Sequence, residues 1–308
     1  MKTILYTHSA CLNHETGGGH PESAERLQAL LARLKEPDFD ALERRAAPCA
    51  ERAQLTRAHD VPYISKVFAT APKAGQANVA PDTVMSPGSL GAATRAAGAV
   101  CAAVDAVLGG EALNAFCAVR PPGHHAATST TMGFCIFNNI AVGVEQARQV
   151  HGLERIAVVD FDVHHGNGTE VIFRHDPNTM VASIHQAMIF PNSGASCDIG
   201  AGNIVNVPVA RNIPAEDFRR AFEDKIIPRV MDFAPKLLFI SAGFDAHVRD
   251  PLGNQRLKHN NFAWMTERLM AVAEKHCGGK LVSALEGGYD PDAVAQAGAS
   301  HIATLMRH

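Results

Sequence analysis

Five short, continuously apolar runs recur along the chain, with helix-like stretches before, between and after them. No other feature constrains the fold as much. The runs are Asn114–Val119, Arg155–Phe161, Met180–Ile184, Lys236–Ser241 and Lys280–Leu285, each bounded by glycine, proline or polar residues. Runs that are apolar without alternation read as strands buried on both faces. The stretches Pro21–Lys35, Leu90–Leu108, Asn139–Val150, Ala215–Phe233, Asn261–His276 and Pro291–Met306 carry apolar residues at helical spacing; in the first, Leu27, Leu30, Leu31 and Leu34 share one face. Such alternation predicts an α/β fold with a central parallel β-sheet flanked by helices on both faces. No internal repeat or low-complexity linker interrupts it, so residues 1–308 read as a single domain. Function in such a sheet collects in the crevice at the carboxyl ends of the strands.

Composition closes off several classes. With 46% hydrophobic and 19% charged residues, the chain is globular rather than disordered. A net charge of −3 leaves no general basic footprint, so no nucleic-acid partner is expected. The opening Met1–Tyr6 is apolar only briefly, and His8 and Asn13 interrupt it before a signal-peptide core forms. No stretch is expected to reach the roughly 18 apolar residues of a membrane span, so no membrane partner is expected. The seven cysteines are odd in number and scattered, with no Cys-x-x-Cys pair. That argues against a disulfide framework or a thiolate zinc site and makes a reducing cytoplasm the simplest setting. Nothing in the sequence specifies an oligomeric state.

The chemistry-bearing residues gather at the ends of the predicted strands. Ile156-Ala157-Val158-Val159 runs straight into Asp160-Phe161-Asp162-Val163-His164-His165-Gly166-Asn167. Asp160, Asp162 and His164 share one parity, so an extended backbone turns them to one side. Carboxylates and an imidazole converging there repel or desolvate one another without a cation, and the donor set suits Zn²⁺ or a similar divalent ion. A second strand ends in Phe244-Asp245-Ala246-His247 and can bring Asp245 to the same edge. Alone, Asp245 reads as a turn or capping residue; with Asp162 and His164 it completes three ligands and leaves a fourth position open, the pattern of a catalytic site. Arg120-Pro121-Pro122-Gly123-His124-His125-Ala126 sets two adjacent histidines in a stiff loop, placed to act as base and acid. In Glu286-Gly287-Gly288-Tyr289, a phenol close to the site could donate to a developing oxyanion, although the segment taken alone reads as an ordinary turn with a packed tyrosine.

Taken in order, Arg120–Ala126, Gly133-Phe134-Cys135 with Asn138, Asp160–Thr169, Ser241–Ala246, Asp250-Pro251-Leu252-Gly253 and Glu286–Tyr289 resemble the histone deacetylase superfamily, specifically its bacterial class II-like deacetylases. The likeness runs from His20-Pro21-Glu22 and Glu25-Arg26-Leu27 to the last helix and implies the arginase/deacetylase fold. It implies zinc held by Asp162, His164 and Asp245, with Fe²⁺ as an alternative. It also implies His125 as general base and then acid, His124 as charge stabiliser, Asp160 orienting His124, Asn167 orienting His125 and Tyr289 as oxyanion donor. Gly133, Phe134 and Phe190 would flank the stem of an acyl-lysine, and Asp82 and Thr83 would meet substrate backbone at the rim. The backbone around Asp160, Asp162, His164 and Ser183 would hold a structural K⁺.

Asn167 follows the class II pattern, and an amide there stabilises a charged His125 less than a carboxylate would. Leu252 stands where one polyamine-specific subgroup carries Glu, which tilts the reading toward acyl-lysine in proteins or peptides over acetylpolyamines and other small acylated amines. A binuclear ureohydrolase of the same fold would want Asp two residues after His164, where this chain has Gly166, and Asp two residues after Asp245, where it has His247. A non-catalytic acyl-lysine binder would lack Tyr289 or one histidine of the pair, and this chain has all three.

Overall fold

The computed structural model describes residues 2–307. Ten strands form: β1 (Thr3–Thr7), β2 (Glu43–Ala46), β3 (Ala77–Ala80), β4 (Thr83–Met85), β5 (Asn114–Cys117), β6 (Ile156–Asp160), β7 (Thr179–Gln186), β8 (Ile204–Val209), β9 (Leu237–Ala242) and β10 (Leu281–Leu285). Eight of them make one sheet in the order β2-β1-β5-β10-β9-β6-β7-β8, and every pairing in it is parallel. The short antiparallel hairpin β3-β4 stands apart from it. All five apolar runs are strands of this sheet, each shifted by no more than two residues at either end.

The helices are α1 (Ala24–Arg33), α2 (Arg52–Leu55), α3 (Val61–Thr70), α4 (Ser89–Leu108), α5 (Asn139–His151), α6 (Asn167–Phe173), α7 (Ala215–Ala221), α8 (Ile227–Phe233), α9 (His259–Cys277) and α10 (Pro291–Leu305). One packed group joins α1, α10, α9, α8 and α7, and another joins α4 and α5 with α2 and α6. Side chains of the sheet show that the two groups cover opposite faces. Ser283 of β10 bonds His301 of α10, whereas Phe239, in register with the neighbouring Val282, lies against Gly143 of α5. Both faces are therefore buried, which is why the strands read as continuous apolar runs.

Two expectations need correction. α4 does reach the length and apolar composition of a membrane span, yet 72% of that window is buried inside the fold. Its small residues, Ala92, Ala96, Ala97, Ala99 and Ala103, pack it closely against α5 and β5, so it is a core helix. The predicted helix Ala215–Phe233 is α7 and α8 joined through a π turn at Phe222–Ile226, closed by Ile227 N–H donating to Phe222 O. Pro228 explains the break. It has no N–H for the carbonyl four residues back, and its ring crowds that carbonyl, so the wider turn absorbs the mismatch.

Four histidines lie in the interior away from the strand-end cluster. Burial pushes His14 and His59 down to about 4, and His185 and His301 down to about 3. Their folded values lie below the unfolded value near 6.5, so the unfolded chain takes up protons first as pH falls. Stability is then complete above about pH 6.5 and is lost toward pH 4, at about 1.4 kcal/mol per pH unit for each histidine at most. The imidazole NMR shifts of these four residues are expected to keep their neutral-form values from pH 7 to pH 5; titration near pH 6.5 would show that they take up protons in the folded protein.

Candidate active site

Four strands adjacent in the sheet, β5, β10, β9 and β6, deliver their following loops to one crevice. β6 ends at Asp160, earlier than the extended backbone expected through His164. Beyond it, carboxylates take over the backbone N–H groups that the ladder no longer pairs. Asp160 Oδ1 accepts from Asp162 N at 3.0 Å, and Asp162 Oδ1 accepts from His164 N at 2.9 Å. These bends keep the parity. Phe161 and Val163 turn into the core while Asp160, Asp162 and His164 turn to the crevice.

Asp245, from the loop after β9, accepts from Val163 N through Oδ1 at 2.7 Å and leaves Oδ2 3.0 Å from His164 Nδ1. Asp162 Oδ1 lies 3.1 Å from the same nitrogen. One ligand atom from each of Asp162, His164 and Asp245 falls within 4.8 Å of the other two, and all three residues are buried. Gly287 allows this crowding: its N–H donates to Asp162 Oδ2 at 2.8 Å, and a Cβ there would collide with both carboxylates.

The electrostatics record the strain of three such groups together. Burial and the neighbouring Asp162 push Asp245 up to about 8. Burial works against charge on His164, but its hydrogen bonds to Asp162 and Asp245 overcome this and raise it to about 10. A divalent cation would satisfy all three groups at once, and one imidazole with two carboxylates is a donor set that zinc or ferrous iron accepts.

The loop after β5 brings the paired histidines, whose ring centroids are 4.0 Å apart. His124 Nδ1 stands 2.9 Å from Asp160 Oδ2, and His125 Nδ1 stands 2.8 Å from Asn167 Oδ1 at the start of α6. The amide oxygen of Asn167 can only accept, so His125 carries its proton on Nδ1 and presents a free Nε2. Burial opposes charge on His124, but Asp162 and Asp160 overcome it and hold its pKa well above the ordinary value. Burial, then His124 and His164, holds His125 well below. Burial, then the carboxylates of Asp162 and Asp245, raise Tyr289 well above the usual phenol value.

A cavity of about 290 Å³ descends to these residues. It is lined by His125, His164 and Tyr289, by Gly133, Phe134 and Phe190, and by Asp82, Ile189 and Leu252, with Phe190 and Leu252 exposed at its outer side. Phe134 holds φ +68°, a conformation costly for a bulky residue. Asp82 Oδ2 and Thr83 Oγ1 fix it by accepting from Gly133 N and Phe134 N at 2.9 and 3.1 Å, and His20 packs edge-on at 4.8 Å. Every residue singled out for the metal, the proton transfers and the tunnel wall is thus brought together. Ser183 lies beside Asp160 on β7, outside the cavity, with its hydroxyl on His185.

Sequence reasoning missed the supports beneath. Glu286 is fully buried, and its Oε2 accepts from Gly123 N at 2.7 Å and His124 N at 3.1 Å, tying the histidine loop to the tyrosine loop. Arg26 and Arg120, also fully buried, share the carboxylate of Glu22. Arg26 donates to Glu286 O and Gly288 O at 2.8 and 3.2 Å, under the tyrosine loop. Only a carboxylate at the end of an apolar strand hinted at Glu286.

Comparison with known proteins matches residues 20–305 to the histone deacetylase domain. The chain is 40% identical over 277 residues to the histone deacetylase-like amidohydrolase of Pseudomonas aeruginosa, covering 88% of this chain and 73% of that protein. It is 36% identical to type-2 histone deacetylase 2 of Dictyostelium discoideum over 94% of this chain, while spanning only 20% of that much longer protein. The crystal structure of the HDA15 HD domain superposes with a TM-score of 0.94 at 32% identity, covering 99% of this chain and 88% of that one. With a domain match across almost its whole length and a common fold, the chain belongs to the histone deacetylase family and is a hydrolase of that family.

Proposed function

We propose that the protein is a zinc-dependent deacylase that removes an acetyl or related acyl group from the side-chain amide of lysine in proteins or peptides. The observation that carries this reading is the aromatic-walled cavity that ends on Asp162, His164 and Asp245 with His125 and Tyr289 beside them. An apolar stem tipped by a neutral amide fits such a shaft, because the walls offer it apolar surface and the floor holds all the polar groups. Leu252 at the mouth offers no charge to a second cationic nitrogen, which favours lysine over a polyamine. The seven free thiols suit a reducing compartment such as the cytoplasm. The family likeness also carries a structural potassium ion, near Asp160, Asp162, His164 and Ser183.

Bound zinc would polarise the scissile carbonyl and acidify a water. The chain's own residues divide the remaining work. His125 is neutral and presents Nε2, so it takes the proton of the attacking water and hands it to the leaving amine. His124 is charged, and it both keeps its neighbour neutral and stabilises the negative charge that develops beside it. Asp160 and Asn167 fix the two rings. Tyr289 keeps its proton at neutral pH and donates it as a hydrogen bond to the oxyanion.

The test is a mass-spectrometric screen of the zinc-loaded protein against acyl-lysine peptides and acylated polyamines. Acyl loss from the peptides is expected to exceed loss from the polyamines. Turnover of polyamines alone would move the substrate to small amines, and acyl loss from neither would overturn the reading.

A further inference from the structure

Tyr289 follows Gly288, whose φ of +117° is one that a residue with a side chain rarely adopts. A ring that must meet an oxyanion within hydrogen-bond reach needs an anchor from outside its own segment. Its amide has one: Tyr289 N donates to Asp250 Oδ2 at 2.7 Å. The second oxygen of the same carboxylate accepts from Leu252 N at 2.9 Å and Gly253 N at 3.0 Å. Leu252, 36% exposed, and Tyr289 both line the cavity, while Asp250 is 8% exposed and lies outside the lining. Among the described residues, no Lys, Arg or His side chain pairs with Asp250. Its partners are three backbone N–H groups, and both of its oxygens are in use.

We propose that Asp250 is a positioning residue that ties the rim at Leu252 to the oxyanion donor Tyr289. The inference rests on the reading of Tyr289 given above. An ionised carboxylate is needed, because it alone offers an acceptor on each side. Asparagine would keep one acceptor and turn an NH₂ toward an N–H that has nothing to accept it. A ring set adrift by about 1 Å costs on the order of 10² in rate even though it touches the same substrate.

A double-mutant cycle on the zinc-loaded enzyme tests this, with an acetyl-lysine peptide as substrate. Tyr289→Phe is expected to lower kcat by about 10²–10³, as for loss of one oxyanion donor. Asp250→Asn is expected to lower kcat at least about tenfold while zinc content stays at the wild-type level. Since both changes act through one group, the double variant should lie within about threefold of Tyr289→Phe alone. Hydrogen exchange at the Tyr289 amide should quicken in Asp250→Asn with or without metal. If Asp250→Asn does not fold, Asp250→Ser, which still offers a hydroxyl acceptor, carries the same cycle. A wild-type kcat in Asp250→Asn, or a loss that multiplies in full onto that of Tyr289→Phe, overturns the inference. An indifferent Tyr289→Phe would instead overturn the role of the tyrosine, and the exchange measurement separates the two failures.

Discussion

Replacing His125 with alanine is expected to cut turnover of an acetyl-lysine peptide by about 10²–10⁴, the range for losing a positioned acid–base group. The expectation follows from how differently the two neighbouring imidazoles are set. His124 faces the carboxylate of Asp160 and lies within the field of Asp162, so it is held protonated. Burial, with charge on His124 beside it, holds His125 neutral, and the amide oxygen of Asn167 leaves its lone pair on Nε2. Two titratable groups pushed apart in this way have distinct tasks, and only the neutral one can accept a proton. Asn167→Ala should be milder, because it releases the tautomer and orientation of His125 without removing the base. Metal content measured beside kcat separates lost chemistry from a lost site. Equal turnover in wild type and His125→Ala would sink the assignment, and a larger loss in Asn167→Ala would reverse the order of the two roles.

Changing Asp245 to asparagine is expected to abolish tight metal retention and, with it, essentially all hydrolysis. Asparagine isolates ligation from folding, because its oxygen can still accept from Val163 N, the bond that Asp245 Oδ1 makes at 2.7 Å. What it loses is the second negative charge on the three-ligand set. Wild-type protein dialysed against a weak chelator should keep one zinc per chain by elemental analysis, and Asp245→Asn should keep none. Full retention in the variant would refute ligation by Asp245. Two tightly held metals in the wild type would point to binuclear chemistry, which Gly166 and His247 argue against by occupying the places where a second metal's carboxylates would stand.

The parts of this molecule that were legible in its sequence share a physical cause. Buried strands must be apolar throughout, so β5, β6, β7, β9 and β10 announce themselves, and polar residues at their ends stand out against that background. The parity of Asp160, Asp162 and His164 was readable even though the strand stops at the first of them, because the carboxylate-to-amide bonds preserve the alternation through the bends. Edge strands gave weaker signals. β2 is only Glu43-Arg44-Arg45-Ala46, and β8 contains Asn206 and Pro208, which an outermost strand tolerates because one side of its backbone needs no partner. Least legible were Glu286 and Asp250. Each serves backbone N–H groups far along the chain, Glu286 those of Gly123 and His124 and Asp250 that of Tyr289, between 39 and 163 residues away, and no periodicity encodes an acceptor for a distant main chain. Tyr289 falls between these cases. Its segment alone reads as a turn, and only the company of the other strand ends gives the phenol a task.

The place of β10 between β5 and β9 has a consequence for how the protein comes into being on the ribosome. Asp162, His164 and Asp245 are all made before β10, and β5 and β9 wait for it with their facing edges unpaired. A chain at that stage already carries Asp162, His164 and Asp245, the proposed metal ligands, but neither Glu286, which braces the histidine loop, nor Tyr289, the proposed oxyanion donor. On the proposed roles, the catalytic set is complete only once β10 has its place between β5 and β9.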